Sequence, residues 1–195
     1  MADITQNLKQ FKSELPEEVT LVAVSKTKPN EDLQEAYDAG QRIFGENKIQ
    51  EMTDKWEALP KDIQWHMIGH VQTNKVKYMA PYVNLIHSAD RLKLFKEINK
   101  EAKKNERVID VLLQVKIAEE DSKFGMPPEE AKAFLEENKA AQYPNVNIIG
   151  LMGMASFVDD EVQIKREFAQ LAKIYNTFKE QYAFSVLSMG MSGDY

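Results

Sequence analysis

The chain has 195 residues, 43% of them hydrophobic and 29% charged, which is ordinary for a globular protein long enough to bury a core. Its formal net charge is −6 and its Lys and Arg residues form no stripe, which argues against binding driven by nucleic-acid phosphates. It contains no cysteine, so disulfides, thiolate metal sites and cysteine nucleophiles are excluded.

Ile4, Leu8, Phe11 and Leu15 stand at helical spacing and predict an opening helix. This stretch alternates polar and apolar residues, unlike a signal peptide, and no later apolar run is long enough for a membrane span, so the expected location is the cytoplasm. From residue 21 one rhythm recurs: a short apolar run, a turn, then a segment of helical period. The runs cover residues 21–26, 42–47, 64–69, 83–90, 110–117, 147–155 and 184–192. Their continuous hydrophobicity predicts strands covered on both faces, as in a parallel sheet.

Between the strands, Leu33, Ala36 and Tyr37 form a helical stripe behind Asn30 as a plausible cap. Ile49, Met52, Trp56 and Leu59 form another. Leu92, Phe95, Ile98 and Ala102 follow Asp90 or Ser88 as cap. Ile164, Phe168, Leu171, Tyr175, Phe178 and Tyr182 make the longest stripe, entered through Asp159 and Asp160. Strict β-then-α alternation implies right-handed crossovers and a single α/β domain over residues 1–195. Seven strands fit an open sheet, or a (β/α)8 barrel lacking its eighth strand.

Ligands of such folds bind at the carboxyl ends of the strands. Lys26 ends the first run, where burial would lower the pKa of its amine and let it attack an aldehyde; a lysine snorkelling into solvent fits the position as well. Ser188, Met189, Gly190, Met191, Ser192, Gly193 and Asp194 could offer donors to a phosphate, and equally suit an ordinary βα turn. The Met-Gly-Met stretches at 152–154 and 189–191 fit tight core packing. His66 and His70 are four apart, but Gly69 interrupts and His66 lies in a strand, so a metal pair is the minor reading. Asn47 suits either a helix cap or a ligand contact.

These residues also carry a resemblance. Val22 to Pro29, Phe44-Gly45-Glu46-Asn47, Trp65 to Lys75, Ser122-Lys123-Phe124-Gly125, Gly150 to Met154 and Leu187 to Asp194 occur in one order across nearly the whole chain. In them the sequence resembles the pyridoxal phosphate homeostasis protein family, small relatives of the alanine racemase N-terminal barrel. The resemblance implies a (β/α)8 TIM barrel of pyridoxal-phosphate fold type III, here lacking its eighth strand with that strand's arginine and phosphate-binding loop. It implies pyridoxal 5′-phosphate as cofactor, held as a Schiff base on Lys26, with Asn47, His66 and Met189 lining the pocket and Ser192 in the phosphate group. It further implies a monomer that stores or delivers the cofactor, with pyridoxal-phosphate-dependent apoenzymes as partners and no catalytic residue.

The alternative is a pyridoxal-phosphate-dependent amino-acid racemase, which needs a proton donor on each face of the ring. The related racemases take one from a tyrosine of a separate C-terminal domain, and Tyr78, Tyr82 and Tyr195 sit at loop or helix positions here. A scaffold whose Lys26 is merely exposed is the third reading.

Overall fold

The computed structural model describes residues 3–120 and 123–189. Among them a helix α1 (Ile4–Glu14) precedes seven strands: β1 (Ala23–Val24), β2 (Ile43–Glu46), β3 (Gln64–Met67), β4 (Leu85–Ala89), β5 (Ile109–Gln114), β6 (Val146–Met152) and β7 (Val186–Ser188). They form one sheet in the order β1 to β7, and every neighbouring pair is parallel. The crossovers carry α2 (Asn30–Asp38), α3 (Ile49–Ala58), α4 (Val76–Met79), α5 (Leu92–Lys104), α6 (Pro128–Glu136) and α7 (Glu161–Tyr182). All seven strand expectations fall on observed strands, shortened to the residues that bond on the ladder.

Two apolar layers follow from strand alternation. Phe44, Trp65, Met67, Ile86, Val111, Leu113, Ile148 and Leu151 join the helices' apolar faces in the main core. The opposite face carries a smaller cluster of Leu85, Leu112 and Met152, flanked by Ile149, Met154 and Val186. Among the described residues only strands and the loop after β6 supply it, so it marks the inner side of the curled sheet. Gly150 lets β6 and β7 pair closely: a Cβ there would lie 2.7 Å from the carbonyl carbon of Val186.

Several expected helix caps are corrected. Asn30 is the first residue of α2 behind Pro29, and makes no side-chain cap bond. Arg91, not Asp90 or Ser88, stands at the cap of α5. Asp90 instead pairs with Arg91 and with His70, and Ser88 donates to Gly69 O at 2.5 Å. Asp160 does cap α7, accepting from the Val162 and Gln163 amides. The polar stretch after β3 is a 3₁₀ turn, Thr73–Lys75, that runs into α4. None of the helices among the described residues is long and apolar enough to cross a membrane.

Candidate functional site

Strand register sorts the candidates by face. Val24, Gly45, His66 and Leu85 are lateral partners and share the inner face. One step along each strand, Phe44, Trp65 and Ile86 point to the helices. His87, two residues past Leu85, faces inward beside His66. Their rings bond directly, His66 Nδ1 to His87 Nε2 at 3.0 Å, and His87 Nδ1 reaches Ser188 Oγ at 3.1 Å. A chain of three polar side chains therefore runs across the inner face from β3 through β4 to β7.

Both imidazoles are buried, at 8% and 5% exposure. Burial lowers His66 to about 4. Burial and then the neighbouring His66 lower His87 to about 3. At neutral pH both rings are uncharged, so each offers one N–H and one acceptor nitrogen. Either direction of donation along the chain leaves every bond satisfied.

Lys26 lies just past β1, at the carboxyl end of the sheet, and is exposed. The expectation of a desolvated amine is therefore corrected: β1 is only two residues long, and the chain has left the sheet by residue 26. Asn47 follows β2 at the same end and is exposed. It is not the cap of α3, a place held by Lys48. It packs against Gly69, where a Cβ would sit 2.7 Å from Asn47 Cα, so these two loops meet backbone to backbone. Met189 follows β7 and is 47% exposed, which corrects core packing for that methionine. Packing does hold at Gly153, whose Cβ would press on Ile117 and Leu171. Ser192 and the rest of its turn lie outside the described residues. His70 stacks on Phe124 with ring centroids 4.1 Å apart and pairs with Asp90, whereas His66 bonds His87.

Behind Lys26, on the helix side, lies a buried charged cluster that sequence reasoning missed. Lys55 of α3 donates to Ser25 O at 2.7 Å, to Glu46 Oε1 at 2.7 Å and to Glu51 Oε1 at 2.8 Å. Ser25 Oγ donates to the same Glu46 oxygen at 2.6 Å. Glu51 Oε1 also accepts the Thr27 amide at 2.6 Å. Lys55 and Glu46 are 5% and 0% exposed. Burial raises the Glu46 carboxyl above its usual range against the pull of Lys55, whereas the hydrogen bond from Lys55 lowers Glu51. Removing one partner of such a buried pair strands the other charge at a cost of roughly 3–5 kcal/mol. In the sequence Glu51 and Lys55 read as an i,i+4 surface pair; only the packing of α3 on β1 and β2 shows otherwise.

Seven parallel strands in chain order, alternating with helices on one face, define a protein of the β/α-barrel class, with an exposed lysine just past its first strand and two neutral imidazoles on its inner face. The family described as alanine racemase, N-terminal domain, matches residues 1–195. The pyridoxal phosphate homeostasis protein of Aquifex aeolicus is 41% identical over 178 residues, covering 90% of this chain and 77% of that one. PipY of Synechococcus elongatus, solved without PLP, superposes with a TM-score of 0.91 at 35% identity over 98% of this chain and 90% of its own; its PLP-bound structure gives 0.86 at 33% identity and the same coverage. An alanine racemase of Clostridium difficile, only 12% identical, shares the fold with a TM-score of 0.80 over 98% of this chain and 51% of its own. The chain belongs to the pyridoxal phosphate homeostasis protein family, within the wider alanine racemase N-terminal domain family.

Proposed function

We propose that this chain binds pyridoxal 5′-phosphate at the carboxyl mouth of its sheet, holds it covalently on Lys26, and serves intracellular homeostasis of the cofactor by storing or delivering it. The observation that carries this reading is the placement of an exposed lysine at the end of β1 in a fold shared over 98% of the chain with a PLP-bound relative. When bound, the cofactor supplies an aldehyde carbon open to amine attack and an electron-withdrawing ring. The donor set fits such a group. Lys26 offers a primary amine that a solute can reach. Asn47 offers an amide at the same end, and His66 an uncharged ring that can face an aromatic system without an ionic penalty. Met189, just past β7, joins the proposed set, and Ser192, which lies outside the described residues, is proposed as a phosphate contact on the family resemblance alone.

The reading is of a carrier rather than a catalyst. His66 and His87, held near 4 and 3, supply no imidazolium at neutral pH. Tyr82 stacks on Trp56 and bonds Thr53 on the helix side, and burial pushes its hydroxyl up to about 12. His87 has both nitrogens bonded and Tyr82 lies on the helix side, so neither is placed to shuttle protons at a ring, and His66, proposed to face the ring, is held uncharged. A cytoplasmic monomer that meets apoenzymes is part of the same proposal.

Dialysis of the protein against pyridoxal 5′-phosphate tests it. The wild type is expected to keep a yellow absorbance band that borohydride removes, and Lys26→Ala to lack it. A wild type that retains no cofactor, or a Lys26→Ala variant with the same band, refutes the assignment.

A further inference from the structure

The peptide groups on both sides of Lys26 are fastened to α3. On one side the Ser25 carbonyl accepts from Lys55 at 2.7 Å. On the other the Thr27 amide donates to Glu51 at 2.6 Å. Lys55 joins the two anchors by bonding Glu51 directly, and Glu46 ties in Ser25 through its hydroxyl. The turn between is tight: the Lys28 amide returns to Ser25 O at 3.1 Å, and Thr27 Oγ1 donates to Lys26 O at 2.6 Å. Thr27 itself sits at φ 62, a left-handed conformation that a β-branched residue keeps only when its surroundings hold it there.

We propose that Lys55, with Glu46 and Glu51, is a positioning group for Lys26, a buried clamp that fixes the backbone on either side of residue 26 and so aims its amine at the carboxyl mouth. The inference rests on the assignment of Lys26 as the cofactor-bearing lysine. Stability alone gives a poor account of the cluster, because apolar residues of similar volume commonly replace a buried ion pair without loss. A hydrocarbon at position 55 would fill the same space. It could not hold the Ser25 carbonyl or orient Glu51 toward the Thr27 amide. The β1–β2 pairing covers two residues and its last backbone bond, from the Ser25 amide to Gly45 O at 3.0 Å, stops one residue short of Lys26, so the clamp acts where the ladder ends and holds the peptide groups on either side of residue 26. A reacting group displaced by about 1 Å loses on the order of a hundredfold in rate, which is a reason to build such a clamp beside a nucleophile.

The test uses the full chain with Lys55→Met and Glu51→Gln, the second being a partly exposed site whose variant should fold even if the first does not. Thermal melting establishes that each variant is folded. Three readouts follow: reductive methylation of Lys26 by formaldehyde in cofactor-free protein, scored by mass spectrometry against exposed Lys93; the pyridoxal 5′-phosphate concentration that half-saturates the borohydride-sensitive band; and the visible circular dichroism of that band per attached cofactor. The proposal expects methylation at the wild-type rate, half-saturation shifted upward about tenfold, and weaker dichroism per cofactor. Folded variants that match the wild type in band and dichroism overturn the clamp, as does methylation that falls in step with cofactor capture. If the wild type shows no Lys26-dependent band, the assignment of Lys26 fails first and takes the clamp with it.

Discussion

Acidification should weaken the fold through His66 and His87 before most carboxylates respond. The folded chain holds these rings at about 4 and about 3, against about 6.5 in an unfolded chain. Groups depressed on folding take up protons first in the unfolded state. Their stability contribution is therefore complete above about pH 6.5 and drains as pH falls toward the folded values. Linkage gives a loss of about 2 kcal/mol per ring at about pH 5, or about 4 kcal/mol for the pair. That is a large share of the roughly 5–15 kcal/mol that holds a typical domain together. Glu46 works in the opposite sense: burial raises its carboxyl, so the folded state takes up that proton first and the resulting gain offsets part of the histidine loss as pH falls. Urea unfolding at about pH 7.5, about 6 and about 5, followed by tryptophan fluorescence, would show the wild-type free energy falling with a slope approaching two protons. The His66→Asn, His87→Asn double variant should be nearly flat over the same range. A wild type whose stability does not change, or a double variant with an undiminished slope, would refute the reasoning.

Gly150→Ala should drive β6 off β7, because the new methyl meets the Val186 peptide; a loss of about 1–3 kcal/mol is expected from overpacking, with faster amide exchange at Val186 and Leu187. Glu167→Gln should cost about 1–3 kcal/mol by denaturant unfolding, since its carboxylate accepts from the Ser156 amide and hydroxyl at 2.7 Å and from the Glu119 amide at 3.1 Å. An amide nitrogen there would face N–H donors. Burial opposes ionisation of Glu167, yet bonds from Gln163, Ser156 and Glu119 still hold its carboxyl below the usual range, so this contribution is present at neutral pH and is lost as pH falls through that lowered value.

The sheet was legible because its signal is continuous hydrophobicity between turns: Val111 to Leu113 or Ile148 to Leu151 admits little else than a strand covered on both sides. The position of Lys26 at a strand end was legible for the same reason. Its exposure was not, since that depends on β1 pairing over only two residues. The pairing of His66 with His87 depends on lateral register, with Gly45 beside His66 and Leu85 next in line. One chain's sequence contains that register only implicitly, although two histidines each in phase with an inward strand position could have suggested it. Lys55 was invisible for a different reason. Its spacing from Glu51 is that of a solvated helix pair, and only tertiary packing turns that face inward. The short α4 and the Arg91 cap of α5 escaped because a few residues with no side-chain cap bond carry almost no local signal.

The central claim is that one lysine carries the cofactor, and peptide mapping tests it most directly. The protein is incubated with pyridoxal 5′-phosphate, reduced with borohydride, digested and sequenced by mass spectrometry. The account predicts a single pyridoxyl modification on Lys26, formed at about one per chain. Modification centred on Lys28, Lys55 or another lysine, or spread evenly over the exposed lysines, would contradict it.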